Sequence, residues 1–210
     1  MNDTQHHIAE PGTVVWLTGL PGSGKSTLAS ALRAALAARS VKAIVLDGDA
    51  LRAGICADLG FSDPDRAENV RRIAHIAKLF CLERYVVIVA SISPLAYHRS
   101  QARSIVGARF IEVFVSAPLE VCAERDPKGM YALARKSRIP NFTGVSAAYE
   151  PPTDPDLEID TSRRSIEEAV AMLLCSLRLP AEREIYGLAN GDSSCMATEQ
   201  APGAASSHHE

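Results

Sequence analysis

Apolar, β-branched runs alternate with segments of helical periodicity along most of this chain. Residues 13–18 (Thr-Val-Val-Trp-Leu-Thr) form the first run, apolar almost throughout, as a parallel strand covered on both faces should be. Residues 41–46 and 85–90 repeat that signature as second and third strands, residues 109–115 make a fourth, and 157–160 are expected as a short fifth. Leucines at helical spacing mark residues 28–36, and further patterns predict helices over 63–84, 94–106, 118–125 and 165–179. Strands separated by helices in this way need crossover connections. The pattern therefore predicts an α/β fold, a parallel sheet with helices on both faces. Ligands of such sheets bind beyond the carboxyl ends of the strands, which directs attention to residues 19–27, 47–49, 91–94 and 116–118.

The first of these loops, Gly19-Leu20-Pro21-Gly22-Ser23-Gly24-Lys25-Ser26-Thr27, satisfies every position of the pattern G-x-x-x-x-G-K-[ST]. Glycines let the backbone curl until successive N–H groups face phosphate oxygens, and the helix that follows presents its positive end. All nine residues form the expected ATP-binding set, with Lys25 reaching the β- and γ-phosphates and Ser26 ligating Mg²⁺. Strand, loop and helix together define a sheet of the P-loop NTPase type.

Asp47-Gly48-Asp49 leaves the second strand with two carboxylates around a glycine. One can help hold Mg²⁺ while the other orients an attacking hydroxyl; a solvated Asp-Gly turn is the plain alternative. Lys25, Asp47 and Asp49 are the expected catalytic residues, and Ser26 with Asp47 the expected metal ligands. Further on, Asp63 before Pro64 is expected to cap a helix. Arg66 and Asn69 share a face near its start, and with Phe61 they offer a guanidinium, an amide and a ring to a phosphate and a base. Read alone, they equally describe a capped, charged helix.

Composition narrows the classes. The chain has 210 residues, 47% of them apolar and 22% charged, which suits one folded domain. We place that domain at 13–180, between tails at 1–12 and 181–210, the latter rich in Gly, Ala and Ser and expected to be disordered towards its end. A formal charge of −3 argues against nucleic-acid or membrane partners. No apolar run approaches a membrane span and no signal-peptide core opens the chain, so a cytoplasmic location is expected. Five scattered cysteines without C-x-x-C spacing indicate neither a disulfide framework nor a zinc site. Residues 125–138 are locally basic, with Arg125, Lys128, Arg135, Lys136 and Arg138 against Asp126. They suit a lid closing over phosphates, the alternative being a solvated helix face.

In order, the phosphate loop, Leu46-Asp47-Gly48-Asp49, Asp58-Leu59-Gly60-Phe61-Ser62, Asp65-Arg66 with Glu68-Asn69 and Arg71-Arg72, Ile92-Ser93-Pro94, Arg125-Asp126-Pro127-Lys128-Gly129, Phe142-Thr143-Gly144 and Tyr149-Glu150 closely resemble the adenylyl-sulfate (APS) kinases. The resemblance runs over about residues 13–161 and implies MgATP as phosphoryl donor. The acceptor it implies is the 3′-hydroxyl of APS, giving 3′-phosphoadenylyl sulfate and ADP in sulfate assimilation. It further implies Phe61 and Phe142 as the aromatic pair around the APS adenine and Arg66 and Asn69 as phosphate and base contacts. Asp49, Ile92 and Lys128 complete that acceptor site. Ser93 matches a serine described in the family as a phosphoserine intermediate, hence a candidate catalytic residue. As sequence, however, Ser93-Pro94 at a strand-to-helix junction reads as a helix cap, and in-line transfer from ATP requires positioning and charge neutralisation alone. A homodimer and functional coupling to an ATP sulfurylase are also implied by the resemblance.

Some positions depart from the family pattern. Ser137 and Arg138 stand where a glycine and an acidic residue are usual, Ala148 replaces a proline, Ser146 an acidic residue and His75 a glutamate. Two alternatives therefore stay open at this level. One is a related kinase acting on another nucleotide-like acceptor, such as a cytidine diphosphate derivative; the other is a nucleotide-binding regulatory paralogue.

Overall fold

A computed structural model describes residues 12–177, and apart from Gly12 the two expected tails lie outside them. Five strands, β1 (Thr13–Thr18), β2 (Ala43–Asp47), β3 (Val86–Ala90), β4 (Phe110–Ser116) and β5 (Leu157–Asp160), form one sheet in the order β2-β3-β1-β4-β5. Every pairing is parallel. The helices are α1 (Lys25–Ala37), α2 (Gly48–Arg52), α3 (Asp63–Leu82), α4 (Ala96–Val106), α5 (Leu119–Arg125), α6 (Met130–Arg135) and α7 (Ile166–Ser176). None of the described helices is long and apolar enough to cross a membrane.

The central position of β1 follows from its composition. Val14 to Thr18 are all buried, and only a strand with neighbours on both edges and helices on both faces can accommodate that. One face carries Val14, Trp16, Val87, Val89 and Phe110 and is covered by Val70, Ile73, Ala74 and Ala77 of α3 and Ala102 of α4. The alternation of side chains turns Val15 and Leu17 to the other face, where α1 packs against the sheet and α7. Because β3 lies between β1 and β2, the chain passes over it after the phosphate loop. This reversal of direction opens a crevice at the carboxyl ends of the strands.

The observed boundaries differ from the sequence reading for identifiable reasons. The second strand begins at Ala43, where pairing with Val86 starts, instead of at residue 41. The long helix stops at Leu82, and Arg84 takes φ 65°, a left-handed conformation that ends a helix. Its N-cap is Ser62, whose side chain accepts from the Asp65 amide; Asp63, the expected cap, is the first helical residue. Ser93 likewise caps nothing. Its φ is 43°, incompatible with the extended backbone of an N-cap, and α4 begins three residues later behind Leu95. In contrast, α7 starts with a capping box between Ser165 and Glu168, which offsets unpaired N–H groups of its first turn.

Candidate functional site

The phosphate loop curls at the carboxyl end of β1. Gly22, at φ 77°, lies so close to α5 that a Cβ there would sit 2.6 Å from the Cys122 carbonyl oxygen, and at Gly19 it would sit 2.4 Å from that of Val115. No side chain fits at either position. Gly24 caps α1 without a side-chain hydrogen bond, so no side chain occupies the first-turn amides, as an anion site requires. Lys25 folds back into the loop and donates to the carbonyls of Gly19 at 3.0 Å and Leu20 at 2.8 Å. Burial pushes its ammonium pKa down to about 8, against smaller opposing effects that include Asp49 and Asp47.

The next residue, Ser26, donates its hydroxyl to Asp47 Oδ2 at 2.7 Å. The other oxygen of Asp47 accepts from the Asp49 amide at 2.9 Å and so caps α2. Asp49 in turn pairs with Lys128, whose pKa is raised by that hydrogen bond. Donor loop, strand end and basic segment are thus linked in one continuous chain of contacts. A hydroxyl beside a carboxylate is a hard-oxygen pair of the kind that binds Mg²⁺ together with phosphate oxygens and water.

The basic segment is anchored at several points. Arg125 donates to the side chain and carbonyl of Thr161 at 3.0 and 2.8 Å, and Thr161 donates to the Ser23 carbonyl at 2.8 Å. Asp126 accepts from the amides of Tyr131 and Ala132. The Tyr131 hydroxyl reaches the Pro21 carbonyl in the phosphate loop at 3.0 Å, and burial raises its pKa. Within residues 125–138 the short helix α6 is thus held against the phosphate loop, with Arg135, Lys136 and Arg138 exposed.

A second pocket wall stands on α2 and the start of α3. Phe61 is 54% exposed, with the guanidinium of Arg52 4.5 Å and that of Arg66 5.7 Å from its ring centre. Arg66 also donates to the carbonyls of Phe61 at 3.1 Å and Asn141 at 2.6 Å, which ties the loop before α3 to the segment carrying Phe142. Phe142 is only 8% exposed and packs edge-on against Tyr131, 5.0 Å between centroids. Asn69 is buried, and its Oδ1 has no hydrogen-bond partner among the described residues. A buried amide oxygen left so is unfavourable unless a ligand donor meets it. Ile92 is half-buried, and its carbonyl accepts from Thr18 at 2.7 Å.

The structure therefore brings Ser26, Asp47, Asp49 and Lys128 into one chain of contacts, with Lys25 turned back into the phosphate loop beside it, and Phe61, Arg66 and the segment of Phe142 into another. Ser93 is set apart, buried with its hydroxyl bonded to Trp16 at 3.0 Å. Sequence reasoning passed over Arg52, Tyr131 and Thr161. Arg52 could have been found, since it lies three residues after Asp49 on the same turn of helix. Tyr131 and Thr161 carry no local signal, because the phosphate-loop carbonyls they reach, Pro21 and Ser23, are more than a hundred residues away in sequence.

The family model for adenylylsulphate kinase matches residues 11–160. The adenylyl-sulfate kinase of Paraburkholderia xenovorans is 54% identical over 169 residues, covering 80% of this chain and 94% of that protein. A solved structure of the Mycobacterium tuberculosis APS kinase CysC in complex with AMPPNP and APS is 46% identical at a TM-score of 0.79, covering 81% of this chain and all of that one. The hexameric APS kinase from Thiobacillus denitrificans is 33% identical at a TM-score of 0.61, covering 80% of this chain and 29% of that longer one.

Proposed function

Because this chain belongs to the adenylylsulphate kinase family, we propose that it transfers the γ-phosphoryl group of ATP to the 3′-hydroxyl of adenylyl sulfate, giving ADP and 3′-phosphoadenylyl sulfate. What carries this reading is the continuous chain from Ser26 through Asp47 and Asp49 to Lys128, which joins the donor loop to the segment opposite. Kinases of this build act by positioning and charge neutralisation more than by covalent chemistry.

In this reading the loop amides and Lys25 hold the ATP phosphates, and Lys25 exchanges its two loop carbonyls for phosphate oxygens. Ser26 and Asp47 hold Mg²⁺, which when bound draws charge from the phosphate oxygens. Asp49 orients the acceptor hydroxyl, and Lys128, now its partner, turns to the developing negative charge. Phe61 stacks on the adenine of adenylyl sulfate from its exposed face, with Phe142 behind the opposite edge. Arg66 and Arg52 face the acceptor's anionic group, and the unpaired Oδ1 of Asn69 accepts from the base. Ile92 lines the wall between them.

The same reading extends to a cytoplasmic enzyme that works as a homodimer and is functionally coupled to an ATP sulfurylase. Family membership supports it; the relative from Thiobacillus denitrificans is hexameric, and sedimentation of the purified chain tests the dimer. The decisive experiment for activity is incubation with MgATP and adenylyl sulfate, following ADP and the mass of the acceptor. One added phosphate per ADP, with little ADP when the acceptor is withheld, is the expected result. ADP release independent of acceptor would make the protein a hydrolase or switch, and tight nucleotide binding without turnover would make it a regulatory paralogue.

A further inference from the structure

Three anchors converge on the segment just after β3, around the buried Ser93. The Trp16 indole Nε1–H donates to Ser93 Oγ at 3.0 Å, and Arg99 Nη1 donates to the Ser93 carbonyl at 3.0 Å. Arg99 is in turn fixed by Glu112, 2.8 Å from its Nε. The third anchor is the neighbouring carbonyl of Ile92, which accepts from Thr18. Trp16 and Thr18 are two apart on β1 and share a face, so a single strand grips the turn at two points immediately before it becomes the phosphate loop. From the other side, the Glu150 amide donates to the Pro94 carbonyl at 2.8 Å, and its carboxylate accepts from the Ala96 amide at 2.7 Å.

The turn so held is a strained one. Ser93 has φ 43°, a region that a residue with a side chain occupies only where its surroundings over-determine it, and such places cluster at functional sites. Helix capping does not explain the serine, because α4 starts behind Leu95. A nucleophile is not what the geometry presents either: Ser93 is 2% exposed, its oxygen is engaged by the indole, and no general base among the described residues hydrogen-bonds it.

We propose that Trp16 is a positioning residue of the acceptor site, and that Ser93 serves it as a hydrogen-bond acceptor instead of as a phosphate carrier. The Trp16–Ser93 bond holds Ser93 in its left-handed conformation, so that Ile92 is presented at the crevice while the phosphate loop continues from the same strand. The identification of the acceptor rests on the function proposed above; the anchor itself does not.

The chain contains one tryptophan, so its emission reads this bond directly. Trp16→Phe, Ser93→Ala, the double variant and Ser93→Gly are compared with the parent protein. Ser93→Ala is expected to shift the Trp16 emission of the free protein. Each single variant should raise KM for adenylyl sulfate about fivefold, the range of one neutral hydrogen bond, with KM for ATP and kcat changed less than twofold. The double variant should be no worse than the poorer single one, as two halves of one interaction require. Ser93→Gly admits the positive φ but lacks the hydroxyl, so it should behave like Ser93→Ala, and it stands in for Trp16→Phe if that variant does not fold. Unchanged emission in Ser93→Ala, parent-like kinetics in Ser93→Gly, multiplied effects in the double variant, or loss of kcat in Ser93→Ala alone would each overturn the proposal. If the parent protein does not phosphorylate adenylyl sulfate, the proposed function falls, while the emission response still upholds or overturns the anchor.

Discussion

The hydroxyl of Ser26 donates to Asp47 at 2.7 Å, joining the phosphate loop to the end of β2 although β1 and β2 do not pair and β3 runs between them. Two hard oxygens are thereby held together by elements that meet only at the crevice. The carboxylate has a second duty there, since it caps α2 through the Asp49 amide.

Asp47→Asn separates these two duties. The amide oxygen can still accept from the Asp49 amide, so the melting temperature should change by no more than a few degrees. Turnover should fall on the order of a hundredfold, and the Mg²⁺ concentration giving half-maximal rate should rise. Steady-state rates across a Mg²⁺ series check both. A fall in rate that excess Mg²⁺ restores fully to the parental level would mean that the carboxylate only recruits the ion.

Nucleotide binding should take up a proton above pH 8. Burial lowers the Lys25 pKa to about 8 in the free protein, and phosphates placed against the ammonium should raise it again. ATP affinity should therefore weaken as pH rises through 8 towards 10. Calorimetry at pH 8.5 in two buffers of different ionisation enthalpy would reveal the uptake, and a buffer-independent heat would refute it. The stability contribution has the opposite pH sense. Between about 8 and the ordinary lysine value of 10.5 the unfolded chain binds more protons than the folded one, so this group's contribution to stability rises with pH over that window.

Phe61→Ala should leave stability nearly unchanged, because the ring is 54% exposed. It should weaken adenylyl sulfate by about 1–3 kcal/mol, the range for an aromatic ring stacked on a base. KM for the acceptor is the readout, with KM for ATP as the internal control. Equal weakening of both substrates would place the ring elsewhere than on the acceptor.

Glu112→Ala should destabilise the fold. Arg99 is 4% exposed at its side chain and pairs with Glu112, which is 11% exposed; truncating the carboxylate leaves a buried guanidinium uncompensated, an effect of about 3–5 kcal/mol. Denaturant unfolding measures it. A loss below about 1 kcal/mol would indicate that Arg99 escapes to water.

The local parts of this protein are legible in its amino-acid order alone. The apolar runs of the first four strands, the glycine spacing of 19–24 and the Lys-Ser pair after it are written in adjacent residues, because burial on both faces, positive φ and helix starts each constrain neighbouring positions. The family could be recognised at the same level, since its motifs are short and keep their order. Caps were less legible. Asp63 and Ser93 both looked like N-caps, yet Ser62 and Leu95 fill those places, because a cap is defined by backbone dihedrals and not by residue type alone. Contacts across long separations come from the folded arrangement: Arg66 with Asn141, Lys128 with Asp49, Tyr131 with Pro21 and Trp16 with Ser93. They exist because a parallel sheet in the order β2-β3-β1-β4-β5 gathers the carboxyl ends of all its strands at one edge. No periodicity along the chain records which of those ends become neighbours.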